Sequence, residues 1–405
     1  MLNDVSIQTA YEAVMAFHKT PVIKKSFVYD AINYALAEEI KAQRNSPSFT
    51  NSAMDGIGIK HSSNKTFKIK TTIFAGDKIE NIDLKEDECV KIMTGAQVPT
   101  PIDTVVPIEK CKIKDDIVTI PNVKKGANVR LKGEEYSINT PLLHKGEELT
   151  SNTAALLFAQ GIVNVKVYAK PKIAILSSGN ELKEPWDQAN HNEVYNVNSH
   201  AIKLLLKEYG FESDIIGILP DNAQETQNQI KTLKESYDVI ITSGGISFGE
   251  ADFIFNAFKQ NGLKEYFHGI TLKPGRPTMI GEMQTTLVCA MPGNPLSAFL
   301  NVFFFVIPIL RKLSGLKTFH HPIIYAHNIK DFKTNPKKEH FALGEYKNGK
   351  WEVYNEYKYG SFMLSALSKA NSIAVIEKGK ESVSKGEIIK ILPFRNFFDK
   401  KNFVF

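Results

Sequence analysis

The spacing of apolar positions changes several times along the chain. Up to residue 45 they recur at helical spacing, in "YEAVMAF" (11–17) and "YDAINYALAEEIKAQ" (29–43), which predicts helices. "RNSPSFTNSAMDG" (44–56) then breaks the pattern with proline, glycine and short polar residues. From 57 to 136 come short β-like runs, "GIGIK", "FKIKTTIF", "CVKIM", "TVVPIE" and "DIVTI", separated by turn residues. They predict a small antiparallel sheet or barrel. "TSNTAALLFAQGI" (150–162) reads as another helix, capped by Ser151 or Asn152 and closed by Gly161.

Between 170 and 315, apolar runs alternate with amphipathic ones. "KIAILSSG", "SDIIGILPD", "YDVIITSGG" and "TTLVCAMPG" read as strands running into loops. "NSHAIKLLLKEYG", with an Asn198/Ser199 cap and a Gly210 stop, reads as a helix, as do "NAQETQNQIKTLKES", "ADFIFNAFKQNG" and the long "NPLSAFLNVFFFVIPILRKLSG". Such alternation predicts an open, mostly parallel sheet covered on both faces. The remainder returns to short strands, "PIIYAH", "KWEVYN", "SIAVIE" and "IIKILPF". The predicted architecture is therefore multi-domain α/β plus β. A helical region is formed by 1–46 with 137–168, and a small β domain by 47–136. A doubly wound α/β domain occupies 169–318, and a barrel-like β domain 319–405.

Composition narrows the function. Of the 405 residues 43% are hydrophobic, enough for sizeable cores in more than one domain. The net charge of +6 comes from lysines scattered through "TFKIK", "NVKKG" and "NPKKEH", not gathered on one element with aromatics, so a nucleic-acid binder is not indicated. Anionic small ligands suit the balance better. The three cysteines, Cys89, Cys111 and Cys289, are widely spaced and suggest neither disulfides nor a zinc site; Cys89 and Cys289 read as small core residues. No signal peptide is visible, and the apolar run 298–310 reads as a buried helix, too short for a membrane span. A reducing cytoplasm is the expected location.

In an open parallel sheet, ligands bind where strand C-termini meet helix N-termini. Three loops should gather there: "SSGNEL" (177–182), "SGGISFGEAD" (243–252) and "MPGNPLSA" (291–298). Gly244 and Gly245 let the backbone turn sharply and approach a ligand, with Ser243 and Ser247 as hydroxyl donors. Glu250 and Asp252 would repel a bare anion; holding magnesium, or bonding a sugar or pterin ring, would suit them. Asp221 ends another strand and reads as either a helix cap or a metal ligand. "LKPGRPTM" (272–279) sets Lys273 and Arg276 about a stiff Pro-Gly turn, which suits a small oxyanion. The start of the long helix in "NPLSAFLNVFFFVIPILRKLSG" offers another anion seat near Leu296 and Ser297. "SAMDG" (52–56) and "RLKGEE" (130–135) add isolated loop carboxylates.

Taken in order, "SAMDG", "MTGAQVP", "RLKGEE", "SSGNEL", "ITSGGISFGEAD", "LKPGRP" and "MPGNPLSA", with "YGSFMLSALSKANSI" (359–373), resemble the molybdopterin molybdenumtransferases of molybdenum-cofactor synthesis, which include the C-terminal domain of gephyrin. The resemblance covers nearly the whole chain. It implies an elongated homodimer, with the helical region serving dimerisation and the active site at the subunit interface. It also implies insertion of molybdate into adenylylated molybdopterin, with magnesium used and AMP released. Asp55, Glu135 and Glu181 take catalytic or positioning roles by this resemblance, and Asp221 and Asp252 hold magnesium. Gly244, Gly245 and Ser247 would line the pterin nucleotide pocket, and Thr94, Ser243 and Asp252 would bind substrate. Lys273, Arg276, Pro277, Ser297 and Ser361 would surround molybdate, and Pro292, Gly293, Asn294 and Pro295 would also bind substrate. Further partners implied are the molybdopterin adenylyltransferase and the molybdoenzymes.

The chain departs from the family pattern in places. Glu135 stands where Asp is usual, Asn180 where Asp is usual and Arg276 where Lys is usual. "HFALGEY" lacks an arginine that the family commonly carries near Leu343, so either the molybdate site is weaker or His340 or a nearby lysine replaces that cation. Two other readings remain open at this stage. One is an adenylyltransferase-like enzyme, which would need only the sheet domain. The other is a non-catalytic molybdopterin-binding scaffold.

Overall fold

The computed structural model describes residues 2–219, 222–245 and 253–394. Two compact units emerge: 1–37, 146–150 and 165–405 form the first, and 38–145 with 151–164 the second.

The first unit is built on a seven-stranded sheet. Its order is Leu2–Val5, Lys264–Ile270, Met279–Met283, Thr286–Met291, Val239–Ser243, Ile173–Ser178 and Asp214–Leu219. The last four run parallel, as expected. Met279–Met283 runs antiparallel to both of its neighbours. That strand, Lys264–Ile270 and the edge strand Leu2–Val5 are not evident in the sequence. "KEYFHGI" and "MIGEM" lack the continuous apolar run that marks a doubly buried strand.

Burial alternates along the central strands. Ile173, Ile175, Val239, Ile241, Leu287 and Cys289 face one core, with the 295–313 helix, Val197–Glu208 and Ile7–Met15. Ala174, Leu176, Ile240, Val288 and Ala290 face the other, with Ala223–Ser236 and Phe253–Gln260. Cys89 and Cys289 are fully buried, as the sequence implied. The 19-residue helix Pro295–Leu313 is apolar and long enough to cross a membrane, but 78% of its most apolar stretch lies inside the protein. It passes through a π turn at Val302–Val306, just before Pro308, which has no N–H to continue the α ladder.

The C-terminal strands close into a five-stranded barrel. Glu339–Lys347, Lys350–Val353, Ile324–Asn328, Ile388–Pro393 and Ser372–Ile376 pair in turn, and Ser372–Ile376 returns to Glu339–Lys347. A two-residue strand, Leu272–Lys273, pairs parallel with Glu339 and His340, tying the loop after Lys264–Ile270 to the barrel.

The second unit holds a six-stranded sheet, ordered Thr104–Pro107, Gly56–Ile59, Glu88–Ile92, Thr66–Ile73, Ile117–Thr119 and Lys112–Lys114. It is not wholly antiparallel as expected, because Thr66–Ile73 and Glu88–Ile92 run parallel. The long connection 74–87 permits the crossover that a parallel pair needs.

The N-terminal region corrects the sequence reading most. Among the described residues, 1–46 with 137–168 hold only two α-helices, Ile7–Met15 and Ser151–Ala159. "YDAINYALAEEIKAQ" forms one 3₁₀ turn, Tyr29–Ala31, and then extended chain. Asn33 adopts a left-handed φ of 65°, which stops the helix. Beyond it, the Leu36 N–H donates to the Glu147 carbonyl at 2.9 Å and the Ala37 N–H to the Lys166 carbonyl at 2.8 Å. Pairing with distant backbone overrides local propensity here. The cap of Val197–Glu208 also differs: Asn196 supplies it, with Asn198 and Ser199 already inside the helix.

Candidate active site

Parallel register brings the predicted loops together. Ser177 pairs with Ser243, and Ser243 with Met291, so the three chains leave the sheet at one edge. Two clefts open there, on either side of the Pro292–Pro295 loop. Gly293 and Pro295 line one, and Pro292 and Asn294 the other.

The first cleft, of about 500 Å³, is lined by Ser178, Gly179, Glu181, Asn198 and Ser243–Gly245. Gly244 and Gly245 have φ of +83° and +68°. A Cβ on Gly245 would lie 2.7 Å from the Ser178 Oγ and 3.0 Å from the Ile254 Cδ1, so glycine is required there by space as well as by conformation. Asn198 is a residue the sequence reading treated only as a helix cap. Its Nδ2 donates to the Ser243 Oγ at 2.6 Å and to the Gly293 carbonyl at 2.7 Å, cross-linking two of the loops. Its Oδ1 is buried without a partner among the described residues. Glu181 is the only charged side chain lining this cleft among the described residues.

The second cleft, of about 410 Å³, gathers Lys273, Arg276, Pro277, Pro292, Asn294, Ser297 and Ser361. Of these, Lys273, Arg276, Pro277, Ser297 and Ser361 are the ones expected around molybdate, and Pro292 and Asn294 are expected to bind substrate. Lys338, Tyr357 and Tyr359 join them from the barrel. The Lys273–Arg276 turn is braced from below by buried Asn301, whose Nδ2 donates to the Gly275 carbonyl at 3.1 Å and to the Thr278 Oγ1 at 2.5 Å.

The expectation for Arg276 changes. Its Nε and Nη2 donate to the two carboxylate oxygens of Asp4 at 2.9 and 2.7 Å, a bidentate pair. The hydrogen-bonded guanidinium holds the Asp4 carboxyl below its usual range, so both partners are charged at neutral pH. His340 does not supply a cation. It is fully buried in the barrel, bonded to the Tyr357 hydroxyl at 2.7 Å, and burial lowers its pKa. Leu343 is core, and its N–H donates to the Tyr359 hydroxyl at 2.6 Å.

Asp55, Thr94 and Glu135 belong to the second unit. The Asp55 Oδ1 accepts from both the N–H and the Oγ1 of Thr94, each at 2.7 Å. These bonds, the hydroxyl first, pull the carboxyl below the ordinary aspartate range. Asp55 is exposed, and its Oδ2 has no partner among the described residues, so an ionised, oriented carboxylate faces outward. Glu135 accepts from the Ser46 Oγ at 2.6 Å. The two motif loops run side by side: Ser52 pairs with Val129, and Ser46 with Tyr136.

Asp221, Ser247 and Asp252 lie outside the described residues. Among the described residues no group of three or more His, Cys, Asp or Glu gathers to hold a metal.

The chain matches known families almost end to end. Residues 5–161 match the MoeA N-terminal region (domain I and II), 174–312 a probable molybdopterin binding domain, and 326–394 the MoeA C-terminal region (domain IV). It is 33% identical over 376 residues to the molybdopterin molybdenumtransferase of Haemophilus influenzae, covering 91% of this chain and 93% of that one. The chain belongs to the MoeA family. The Staphylococcus epidermidis molybdopterin molybdenumtransferase is 27% identical, over 96% of this chain and 95% of its own. Among solved structures, a molybdopterin biosynthesis MoeA protein of Pyrococcus horikoshii OT3 superposes with a TM-score of 0.84 at 25% identity, covering 96% of this chain and all of that one. Membership extends through both units, and the two clefts lie within the first of them.

Proposed function

We propose that this MoeA-family chain is a molybdopterin molybdenumtransferase acting on adenylylated molybdopterin, with AMP released as molybdenum is inserted. The observation that carries this is the pair of clefts sharing the Pro292–Pro295 loop. One offers hydroxyls, an amide and open backbone, which suit a pterin nucleotide. The other offers cations and Ser297, which suit a tetrahedral oxyanion. Shared walls would hold the dithiolene beside the metal it receives, so the reactants meet already oriented.

Asp55 is the proposed acid–base or positioning group. Thr94 locks its rotamer and keeps it ionised, ready to accept a proton or orient a water. Magnesium, proposed on Asp221 and Asp252, would neutralise phosphate charge as the anhydride to AMP breaks. Two carboxylates are hard oxygen donors of the kind this ion takes. A homodimer with the site shared between subunits belongs to the same proposal. Exposed Ile23, Phe27 and Tyr29 support a face that is covered in an assembly. The adenylyltransferase that supplies the substrate and the molybdoenzymes that accept the product are proposed partners, in the cytoplasm.

Purified protein, adenylylated molybdopterin, magnesium and molybdate should release AMP in a molybdate-dependent manner. Tight pterin binding with no such release would overturn the enzyme reading. Asp55→Ala should lower kcat by at least about 100-fold with the fold retained, since the side chain is exposed and its only described bonds are the two from Thr94. Full activity in that variant would remove Asp55 from the chemistry.

A further inference from the structure

The oxyanion cleft poses a question of charge. Three cations line it, Lys273, Arg276 and Lys338, and among the described residues no carboxylate does. Yet Arg276 is held fork to fork by Asp4. Its planar donors point at a carboxylate, and the pair is close to neutral as seen by a third ion. The cation expected near position 343 is absent, because Leu343 sits in the core. His340 is buried and bonded within the barrel.

Lys338 is in a different position. The parallel pairing of Leu272 with Glu339 and of Lys273 with His340 sets Lys338 alongside the strand that enters the Lys273 turn. It is half-buried and forms no ion pair among the described residues. The neighbouring acid, Glu339, is engaged elsewhere: its Oε2 accepts from the Ile7 N–H and the Thr271 hydroxyl, each at 2.8 Å. Asp4 lies close enough to feel the Lys338 charge, but both of its carboxylate oxygens are bonded to Arg276, so no described acid forms a direct pair with the Lys338 ammonium.

We infer that, on the proposed molybdenumtransferase reading, Lys338 and Lys273 form the cation pair that binds the oxyanion substrate, while Arg276 is withheld by Asp4 and braces the turn. Lys338 is thus a substrate-binding residue supplied by the barrel. Two ammonium groups bind a tetrahedral dianion as point charges, without the planar bidentate geometry of an arginine.

Kinetics in molybdate test this. Lys338→Met should raise the KM for molybdate about tenfold or more, because a hydrogen bond to a charged group is lost. Its kcat at saturating molybdate should change less than about twofold. Lys338→Arg should restore the KM to within about threefold of the parent enzyme, which a merely structural role would not predict. Asp4→Asn should free the Arg276 guanidinium and lower the KM. A KM unchanged in Lys338→Met, or raised in Asp4→Asn, overturns the assignment. If Lys338→Met fails to fold, Lys338→Gln takes its place with the same criteria. If the parent enzyme shows no molybdate-dependent turnover, the parent reading fails and equilibrium dialysis of molybdate alone decides. Saturable binding that Lys338→Met loses supports the cation pair; equal binding, or none in either protein, overturns it.

Discussion

The two clefts at the sheet edge share a wall but are built from different chemistry. The Ser178–Asn198–Gly245 cleft is nearly uncharged, lined by hydroxyls, amides and glycine backbone. The Lys273–Ser297–Lys338 cleft carries three cations around a braced Pro-Gly turn. A flat, polar heterocycle is recognised by the directions of its hydrogen bonds, which neutral groups fix cheaply in a partly dry site. A small dianion has no shape to read beyond its size, so charge number and spacing must select it. One loop, Pro292–Pro295, lines both and would set the distance between the proposed ligands.

The comparison can be broken most severely at Gly275. Its φ is +119°, and a Cβ there would lie 2.8 Å from the Oδ1 of the buried Asn301. Gly275→Ala should cost about 3 kcal/mol in chemical denaturation and abolish oxyanion binding, since neither the backbone nor Asn301 has room to yield. A stable variant with normal molybdate kinetics would show that the charged cleft is not rigid.

Asn198→Leu tests the neutral cleft. It leaves the Ser243 hydroxyl and the Gly293 carbonyl without their shared donor. The loss of about 1–2 kcal/mol should weaken adenylylated-pterin binding about tenfold. The KM for molybdate should move less than about twofold; equal changes in both would mean that the clefts act as one site.

The smallest effect belongs to the Asp4–Arg276 pair. Asp4 has a lowered folded pKa, so its contribution is present above the unfolded value near 4 and fades as pH falls through the folded value. Both side chains are substantially exposed, at 43% and 57%, so solvent screens the pair. Asp4→Asn should lower the melting temperature by on the order of 1 °C or less at pH 7, with the difference vanishing in strong acid. A large, pH-independent loss would mean that Asp4 acts through packing and not through charge.

Much of the site could be read from the order of residues because its parts are local. Ser243-Gly244-Gly245, Lys273–Arg276 and Pro292–Pro295 each join a strand to a turn, and their meeting at one edge follows from parallel pairing. What escaped the reading is non-local. Asn198 looks like any cap residue until the fold carries the Ser243 and Gly293 loops to it. Asp4 is 272 positions from Arg276, and nothing in "MLNDVS" announces a partner. The N-terminal segment was misread for a related reason: its alanine-rich spacing satisfies a helix, but its backbone bonds to strands far along the chain.

By itself, then, the sequence determined the alternating α/β domain, the flanking β domains, the glycine and proline turns at the sheet edge and the ordered motifs of the family. These depend on periodicity and on backbone freedom, which are properties of neighbouring residues. Only the tertiary structure decided which charges remain available. Whether Arg276, His340 or Lys338 can meet an anion depends on the groups that distant segments bring beside them, and on how much water burial leaves around each.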